Sequence, residues 1–325
     1  MPSLQRLIAA YRRTGADLPF GDPTRAHGVG MEGYYWRFTD ASAGRVVVVL
    51  CGISSPGDGD WALVALASHP DGVVRAAVVP RASAVADTFG VRAGTTLTAT
   101  REFLSVDLGA GARLEAVLSA RREWPHRMLG GLGPAQMVPG LGQYWHPHLL
   151  GAAVSGSAEL GGRRVSLDAA GAYAEKNWGS HFADHWWWGQ AHGFDDPGVC
   201  VAFAGGRVSL PVGVVAPTAV VVALDGRVLR LAPPLARTVA SVGDDSWRLR
   251  ARQGRVSVSV EGSAGARPSP ALLPVPVVGE RRAVLRSRQL LAGRLELEVR
   301  RGGRRLYAGV SELAGLERPH EERTG

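Results

Sequence analysis

The sequence predicts an all-β fold, built as a barrel or a sandwich. From Pro19 onward, short runs rich in valine, leucine and aromatic residues alternate with glycine, proline and aspartate turns. The chain also contains 43 glycines, which suits many short strands joined by tight turns. Its 325 residues are enough for one large domain or two of ordinary size.

A short amphipathic helix is predicted ahead of the strands. Leu4, Leu7, Ile8 and Tyr11 recur at helical spacing behind Ser3, a residue type that caps helix N-termini. We therefore assign residues 1–18 to an N-terminal helical segment.

The predicted strands share β-branched and aromatic residues bounded by turn residues. They include Arg45–Leu50, Trp61–Ala67, Val73–Val79, Leu114–Ser119, Ala152–Leu160, Arg163–Leu167, Ala172–Trp178, Trp186–Phe194, Val199–Phe203, Ala219–Leu224, Trp247–Ala251, Val256–Val260, Leu295–Arg300 and Arg304–Val310. Three dipeptides between such runs predict tight hairpin turns. They are Gly161-Gly162, Asp225-Gly226 and Gly302-Gly303.

The chain length favours two β-domains, which we place at residues 19–170 and 171–325. Two segments rich in turn-forming residues are predicted to be loops. Gly130–Gly142 is one, and Pro268–Pro276 is expected to be a long surface loop within the second half.

Composition limits the classes of partner. A net charge of +8 would allow contact with nucleic acid or anionic lipid. The arginines are scattered, however, and no nucleic-acid motif or long basic block is present, so no nucleic-acid partner is predicted. Cys51 and Cys200 form neither a disulfide framework nor a metal quartet.

Cellular location is predicted from apolar segments. No run approaches the roughly 20 apolar residues that a spanning helix needs. Met1–Ala16 lacks the apolar core of a secretory signal. A cytoplasmic protein is therefore expected.

The most informative local feature is a pair of residues found once each. Lys176 is the only lysine and Asn177 the only asparagine in the chain. Four of the nine tryptophans lie between Trp178 and Trp188. Because lysine and asparagine occur nowhere else in the chain, their presence side by side indicates that this position requires them.

Strand alternation assigns these residues to faces. Tyr173, Glu175 and Asn177 should share one face of their strand, and Lys176 and Trp178 should take the other. The next strand should present a face bearing Trp186, Trp188, Gln190, His192 and Phe194.

That second face is an aromatic wall with an amide and an imidazole set into it, which is typical of a large apolar ligand pocket. Structural roles are the alternative. Trp178 and Trp187 would then be core residues, and Glu175 and Asn177 would form a polar network at a strand corner.

Other chemistries find little support in the sequence. No nucleophile elbow, phosphate-binding loop or dinucleotide fingerprint occurs between a strand and a helix. His181, His185 and His192 lack a second cluster of ligands at metal-binding spacing, so no metal site is predicted. No cofactor is predicted either.

The motif around Lys176 resembles a known family. Residues 173–179, Tyr-Ala-Glu-Lys-Asn-Trp-Gly, with Phe182, Trp186, Trp188 and Gln190, are similar to the Glu-Lys-Asn-Trp-Gly…Phe…Trp-x-Trp-x-Gln signature of the tocopherol cyclase family. Residues 32–36, Glu-Gly-Tyr-Tyr-Trp, resemble that family's early Glu-Gly-Trp-Tyr segment. The resemblance implies two packed lipocalin-like β-barrels and an apolar barrel cavity that accepts an isoprenoid chain.

The resemblance also implies a reaction. An acid protonates a trisubstituted alkene of a prenylated quinol, and a phenol oxygen captures the tertiary cation. Glu175 is the first candidate for the acid, followed by Asp184 and Glu32, because burial keeps a carboxyl protonated near neutral pH.

The remaining site residues are assigned to substrate binding. Aromatic faces would stabilise the cation and side-chain amides would orient the phenol or a water molecule. The predicted substrate-binding residues are Tyr35, Lys176, Asn177, Trp178, His181, Phe182, Trp186, Trp188, Gln190 and His192.

Two other functions stay open: a carrier of a hydrophobic isoprenoid without chemistry, and a hydratase that adds water to a polyene. A carboxyl or imidazole in a perturbed environment inside the cavity would favour an enzyme. The expected partner is a hydrophobic small molecule. Peripheral contact with the inner face of the membrane is an alternative to a purely cytoplasmic location, and the oligomeric state stays open.

Overall fold

The structure is a computed structural model that describes residues 4–55, 59–126, 128–210, 213–265 and 270–320. Its described residues are mostly in strands, which confirms the all-β prediction. The N-terminal helix is also confirmed, as α1 (Leu4–Arg12). Its predicted cap, Ser3, lies outside the described residues. No helix in the described ranges combines the length and apolar character that crossing a bilayer would require.

The strands follow in chain order. They are β1 (Met31–Asp40), β2 (Arg45–Ser54), β3 (Trp61–His69), β4 (Val74–Pro80), β5 (Ala82–Ala84), β6 (Val91–Ala93), β7 (Leu97–Ala99), β8 (Phe103–Asp107), β9 (Ala112–Ser119), β10 (Gln143–Leu149), β11 (Ala153–Leu160), β12 (Arg163–Ser166), β13 (Gly171–Gly179), β14 (Trp186–Ala191), β15 (Cys200–Gly206), β16 (Val208–Leu210), β17 (Gly213–Val215), β18 (Thr218–Leu224), β19 (Arg227–Leu231), β20 (Arg237–Val242), β21 (Ser246–Gln253), β22 (Val256–Ser263), β23 (Pro270–Val277), β24 (Arg282–Arg301) and β25 (Arg304–Pro319). Short 3₁₀ helices occur at Gly133–Met137 and Val278–Glu280.

The first large sheet is antiparallel, in the order β4-β3-β2-β1-β13-β11-β9-β8-β7-β6-β5, with β10 paired to β13 and β12 to β11. β5 lies against β2 and β3, so the sheet curls toward a closed barrel. Alternate residues such as Tyr34, Trp36 and Phe38 of β1 point into its core. This alternation is what a strand with two differently occupied faces requires.

The second large sheet has the order β19-β18-β15-β14-β25-β24-β22-β21-β20, with β23 paired to β24. Its core contains Trp187, Phe203, Trp247 and Leu316. Among the described strands, β16 and β17 pair with each other and with no other strand. Two cores, one for each sheet, agree with the predicted pair of packed β units.

The two large sheets pack against each other through a third apolar cluster. It joins Tyr35 and Tyr173 of the first sheet to Trp188 and Val221 of the second. Arg37 of β1 is fully buried here, and its Nη2 donates to the carbonyl oxygens of Leu291 and Leu313, each at 2.6 Å. The guanidinium therefore links β1 directly to the backbone of the second sheet.

All three predicted hairpins are present. Gly161-Gly162 joins β11 to β12, Asp225-Gly226 joins β18 to β19, and Gly302-Gly303 joins β24 to β25. Both residues of each pair have positive φ angles, between 50° and 85°. Hairpin turns of the primed type need this backbone conformation, which glycine adopts without a Cβ clash.

One predicted loop is wrong. Residues 270–277 of the proline-rich segment form β23, while Pro268 and Ser269 lie outside the described residues. Within the described ranges β23 pairs with β24 alone, and its register shifts between Leu273 and Pro274. Proline cannot donate to a ladder, and it is tolerated at edges and bulges of this kind.

The change from one sheet to the other occurs after β13. β13 pairs with β1, β10 and β11 of the first sheet, and β14 is the first strand of the second. The predicted domain division near residue 170 would separate β13 from its sheet. The sheet boundary lies instead between Gly179 and Trp186.

Candidate active site

A cavity of about 1210 Å³ lies between the two large sheets. β1, β2, β10 and β13 line it from the first sheet, and β14, β15, β18, β23, β24 and β25 from the second. The loop that contains Leu132, Gly140 and Leu141 adds a further wall. Apolar side chains pack in the core of each sheet, and the lining of this cavity includes some of them, Tyr34 and Cys51 from the first core and Trp187 from the second. The space for a ligand is where the outer faces meet.

Glu175 lies in this cavity and is only 4% exposed. Its Oε2 accepts hydrogen bonds from Tyr173 Oη at 2.6 Å, Trp145 Nε1 at 2.8 Å and Trp188 Nε1 at 2.9 Å. Trp188 belongs to the second sheet, so the carboxyl connects both sheets. Oε1 has no hydrogen-bond partner among the described residues and is the oxygen available to a ligand.

Burial raises the pKa of Glu175 to about 7. The three donated hydrogen bonds lower the pKa because they favour the charged form, and the nearby carboxyl of Glu317 raises it. No ion pair to Glu175 is found in the described part of the chain. Its surroundings thus supply neutral donors but no counter-charge, and the carboxyl is partly protonated at neutral pH.

Aromatic side chains surround the carboxyl, as predicted. Trp186 and Trp188 line the cavity, as do Tyr35 and Phe182. Tyr35 meets Trp188 edge to face with ring centroids 5.0 Å apart, and Phe182 meets Trp186 in the same way at 4.8 Å. Asn177 and His181 also lie at the cavity.

Three residues predicted on this wall lie elsewhere. Gln190 contacts His192 Nδ1 at 3.2 Å, and His192 Nε2 lies 3.0 Å from the Leu150 carbonyl oxygen. Both are buried in the sheet interface outside the cavity lining. Phe194 packs in the core of the second sheet. β14 ends at Ala191 and Gly193 has a φ of 75°, so the alternation does not continue to Phe194.

Lys176 points to the opposite face from Glu175, as strand alternation predicts. Its Nζ forms an ion pair with Glu32 Oε2 at 2.8 Å. It also donates to the Arg25 carbonyl oxygen at 2.6 Å and lies 3.0 Å from His27 Nδ1. The three N–H groups of the ammonium thus have three acceptors. The planar guanidinium of an arginine could not direct its N–H groups to these three acceptors in the same way. This explains why a lysine stands here in a chain whose other basic side chains of this type are arginines.

Glu32 is a structural anion and not a cavity acid. Its Oε1 accepts the backbone N–H groups of His27 and Gly28 at 2.6 and 2.9 Å. Burial alone would raise the pKa of Glu32, but the Lys176 ammonium and these hydrogen bonds outweigh it and hold the pKa below its ordinary value. Glu32 does not line the cavity.

Trp178 belongs to the same structural cluster. Its Nε1 donates to the Gly15 carbonyl oxygen at 2.8 Å, and its ring stacks on His27 at 4.2 Å. The Lys176 ammonium lies 5.0 Å from its ring centroid. Trp178 is fully buried and does not line the cavity. Lys176 and Trp178, both predicted to bind substrate, instead contact residues of the N-terminal segment.

Asp184 lies at the cavity rim with its side chain 77% exposed, paired with Arg286 at 3.0 Å. The hydrogen bond and charge of Arg286 lower the pKa of Asp184. A proton donor needs the opposite environment. Of the three predicted acids, Glu175 alone has the raised pKa that general acid catalysis near neutral pH requires.

Sequence reasoning missed two residues of the site. Trp145 of β10 donates to Glu175, and Glu317 of β25 is a second carboxyl in the cavity. Trp186 Nε1 donates to Glu317 Oε1 at 2.8 Å. Without homologous sequences, nothing distinguishes Glu317 from the exposed Glu312 on the same strand. Trp145 could have been noticed from its place in the aromatic segment Tyr144–His148.

Comparisons with known proteins agree with this architecture. The sequence model of the family described as Tocopherol cyclase-like matches residues 143–318. No curated protein sequence matches the chain. The matched segment includes Trp145, Glu175, Trp188 and Glu317.

Solved structures with a similar fold include CghA. It has a TM-score of 0.57 and 14% sequence identity, covering 91% of this chain and 90% of CghA. A second CghA structure, with Sch210972, gives a TM-score of 0.54 at 14% identity with the same coverage. Kievitone hydratase from Nectria haematococca gives 0.53 at 10% identity, covering 91% and 90% of the two chains. At these identities the similarity concerns the fold alone.

Replacing Lys176 should destabilise the fold strongly. Lys176→Met leaves the Glu32 carboxylate buried without its counter-charge, which we expect to lower the free energy of unfolding by about 3–5 kcal/mol. Urea unfolding followed by tryptophan fluorescence measures this. The free energy of unfolding of the Glu32→Gln/Lys176→Met double variant should fall by less than the sum of the decreases in the two single variants. A loss below about 1 kcal/mol for Lys176→Met would contradict the structural role.

Glu175 should also impose a pH dependence on stability. Its folded-state pKa of about 7 exceeds the ordinary value of 4.5, so the folded state binds the extra proton and loses stability as pH rises between these values. From pH 5 to pH 8 the free energy of unfolding of Glu175→Gln should therefore rise relative to that of the wild type by about 2.5 kcal/mol.

Unfolding curves at the two pH values test this. Asp184→Asn is the matched control, because its lowered pKa keeps it ionised throughout that range. An equal pH dependence in Glu175→Gln and wild type would show that Glu175 is ionised across the range.

Proposed function

The chain belongs to the tocopherol cyclase-like family, whose sequence model spans more than half of it, and from this we propose that it is an enzyme that cyclises a prenylated quinol or related isoprenoid. Glu175 is the acid that protonates an alkene of the substrate. The observation that carries this proposal is a buried carboxyl with a pKa of about 7, open to an aromatic cavity.

The size and lining of the cavity support a hydrophobic substrate. Its volume of about 1210 Å³ exceeds the range of roughly 300–1,000 Å³ common for small-molecule sites. Apolar strands from both sheets and the faces of Trp186 and Trp188 surround it. A molecule with a polar ring and a long prenyl chain suits such a space.

The aromatic lining also supports a cationic intermediate. Protonation of a trisubstituted alkene leaves a tertiary carbocation, which water would capture in an open site. Rings that face a desolvated cation stabilise it by about 2 kcal/mol each. Trp186, Trp188 and Tyr35 are the rings available, and each of them is less than a tenth exposed to solvent.

The carrier alternative is less well supported. A carrier needs an apolar cavity but gains nothing from a buried carboxyl with a raised pKa, which costs stability when it ionises. A hydratase would use the same acid, with water in place of the internal oxygen as the nucleophile. One protein of similar fold is named a hydratase, so the products must distinguish these two reactions.

We expect the wild-type protein to convert a hydroquinone bearing an ortho prenyl chain into a cyclic ether of unchanged mass. In D₂O the product should gain one deuterium on carbon. Glu175→Gln should lower kcat by about 10²–10⁴-fold, because the proton donor is removed while the shape is kept. Liquid chromatography with mass spectrometry measures both.

The exposed Glu261→Gln variant is the control and should match the wild type. A product heavier by one water would establish the hydratase alternative, and a bound but unchanged probe would establish the carrier. Wild-type activity in Glu175→Gln would remove Glu175 from the role of acid.

We further propose that α1 and its surroundings contact anionic membrane surfaces. Leu4 and Leu7 are exposed on α1, at 72% and 54%, and Phe20 nearby is 78% exposed. Tyr11 donates to the Met137 carbonyl oxygen, and Gly140 N donates to that of Thr14. α1 thus lies beside the loop that lines the cavity, and the net charge of +8 suits anionic lipid.

Vesicle binding tests this contact. The wild type should co-sediment with vesicles of phosphatidylglycerol and phosphatidylcholine more than with phosphatidylcholine alone, and Leu4→Gln/Leu7→Gln should reduce binding several-fold by removing apolar area. Val239→Gln, an exposed position on the second sheet, should bind as the wild type does. Equal binding by the helix variant would contradict a role for α1.

A further inference from the structure

We propose that Glu317 is the general base of the reaction, paired across the cavity with Glu175 as the acid. This inference rests on the proposed cyclisation and assigns its second proton transfer. Nothing in the sequence motif around Lys176 indicates Glu317, which enters the cavity from the opposite sheet.

The two carboxyls are arranged along one aromatic strand. Trp188 Nε1 donates to Glu175 at 2.9 Å, and Trp186 Nε1 donates to Glu317 at 2.8 Å. These tryptophans are two residues apart on the same face of β14, a separation of about 7 Å. Both tryptophans and both carboxyl residues line the same cavity. A cation formed near one carboxyl therefore develops against these rings, within reach of the other.

The hydrogen bonds of the two carboxyls indicate different roles. All three donors to Glu175 reach Oε2, which leaves Oε1 to carry a proton toward a ligand. Glu317 accepts a hydrogen bond on each oxygen, from Trp186 Nε1 and from Gln289 Nε2 at 2.9 Å. These two hydrogen bonds lower the pKa of Glu317 against the larger effect of burial, and neither oxygen of Glu317 is as free of partners as Oε1 of Glu175.

The charged groups around Glu317 leave it without a cation. Glu175 and Tyr35 face it from the first sheet. On β24 the neighbouring arginines bind elsewhere: Arg286 to Asp184, and Arg288 to Asp245. Burial raises the pKa of Glu317. Within the described residues neither cavity carboxyl has an ion-pair partner, and the charge of Glu317 adds to the effect of burial in raising the pKa of Glu175.

The proposed reaction has two proton transfers, one from Glu175 and one to Glu317. Glu175 transfers its Oε1 proton to the less substituted alkene carbon, and the electron pair of the C=C bond forms the new C–H bond. The phenol oxygen then bonds to the tertiary cation and its O–H proton passes to Glu317. Return of that proton to Glu175 restores the enzyme, and the product is an isomer of the substrate.

Titration of the carboxyls tests the pair without any substrate. In protein labelled with ¹³C at glutamate carboxyls, Glu175 and Glu317 should titrate as a coupled pair in the wild type. Glu317→Gln keeps an acceptor for Trp186 but removes the charge, so the apparent pKa of Glu175 should fall. Glu312→Gln, an exposed position on the same strand, should leave it unchanged. An unchanged Glu175 titration in Glu317→Gln would overturn the pairing.

Kinetics with the prenylated hydroquinone test the base role. Glu317→Gln should lower kcat by about 10²-fold or more while the alkene still exchanges hydrogen for deuterium in D₂O, because Glu175 is retained. Glu175→Gln should lose both the cyclisation and the exchange of the alkene hydrogen. Glu317→Asp, which keeps a carboxylate, should recover part of kcat, and Glu312→Gln should match the wild type.

The outcomes separate the two proposals. An active wild type with an equally active Glu317→Gln variant would overturn the base role alone. A wild type that leaves such hydroquinones unchanged would overturn the proposed cyclisation and the base role with it.

Discussion

The alternation of side chains along β1 and β13 is the constraint on which the rest of the structure depends. These strands pair in register, Tyr34 with Lys176 and Tyr35 with Glu175. One face of the pair meets the core and N-terminal segment of the first sheet, and the other faces the second sheet. Lys176 and Glu175 are adjacent in the chain yet lie on opposite sides of the sheet. A shift of one residue would exchange them, placing the ammonium in the cavity and the carboxyl in the barrel.

This separation gives two glutamates opposite chemistry. Glu32 has a lysine ammonium and two backbone N–H groups, so it remains charged. Glu175 has three neutral donors and, within the described part of the chain, no counter-charge, so burial dominates and its pKa rises to about 7. The sheet between them keeps the Lys176 ammonium away from the cavity carboxyl. Because the donors to Glu175 come from both sheets, its environment also depends on the packing that Arg37 maintains across the interface.

Strands whose side chains alternate regularly were predictable from sequence, and so were hairpins whose turns need positive φ. β2 and β3 are valine- and alanine-rich and their prediction is confirmed. β23 was missed because three prolines in eight residues are typical of a loop, and only pairing at a single edge makes them compatible with a strand. β1 and β10 were not among the predicted strands, because charged or polar residues stand among their aromatic ones, such as Glu32 and Arg37 in β1 and His146 in β10. The amino-acid pattern within a strand does not specify which other strand it will pair with.

The sequence alone determined the fold class and the opposite orientations of Glu175 and Lys176, because strand geometry is local and has a period of two. It also identified the aromatic residues Trp186, Trp188 and Tyr35 that line the cavity. Only the tertiary structure decided that Glu32 pairs with Lys176, that Trp145 and Glu317 join the site, and that the cavity lies between the sheets. Those contacts join residues distant in the chain, so they follow from strand register and sheet packing, which no local pattern specifies.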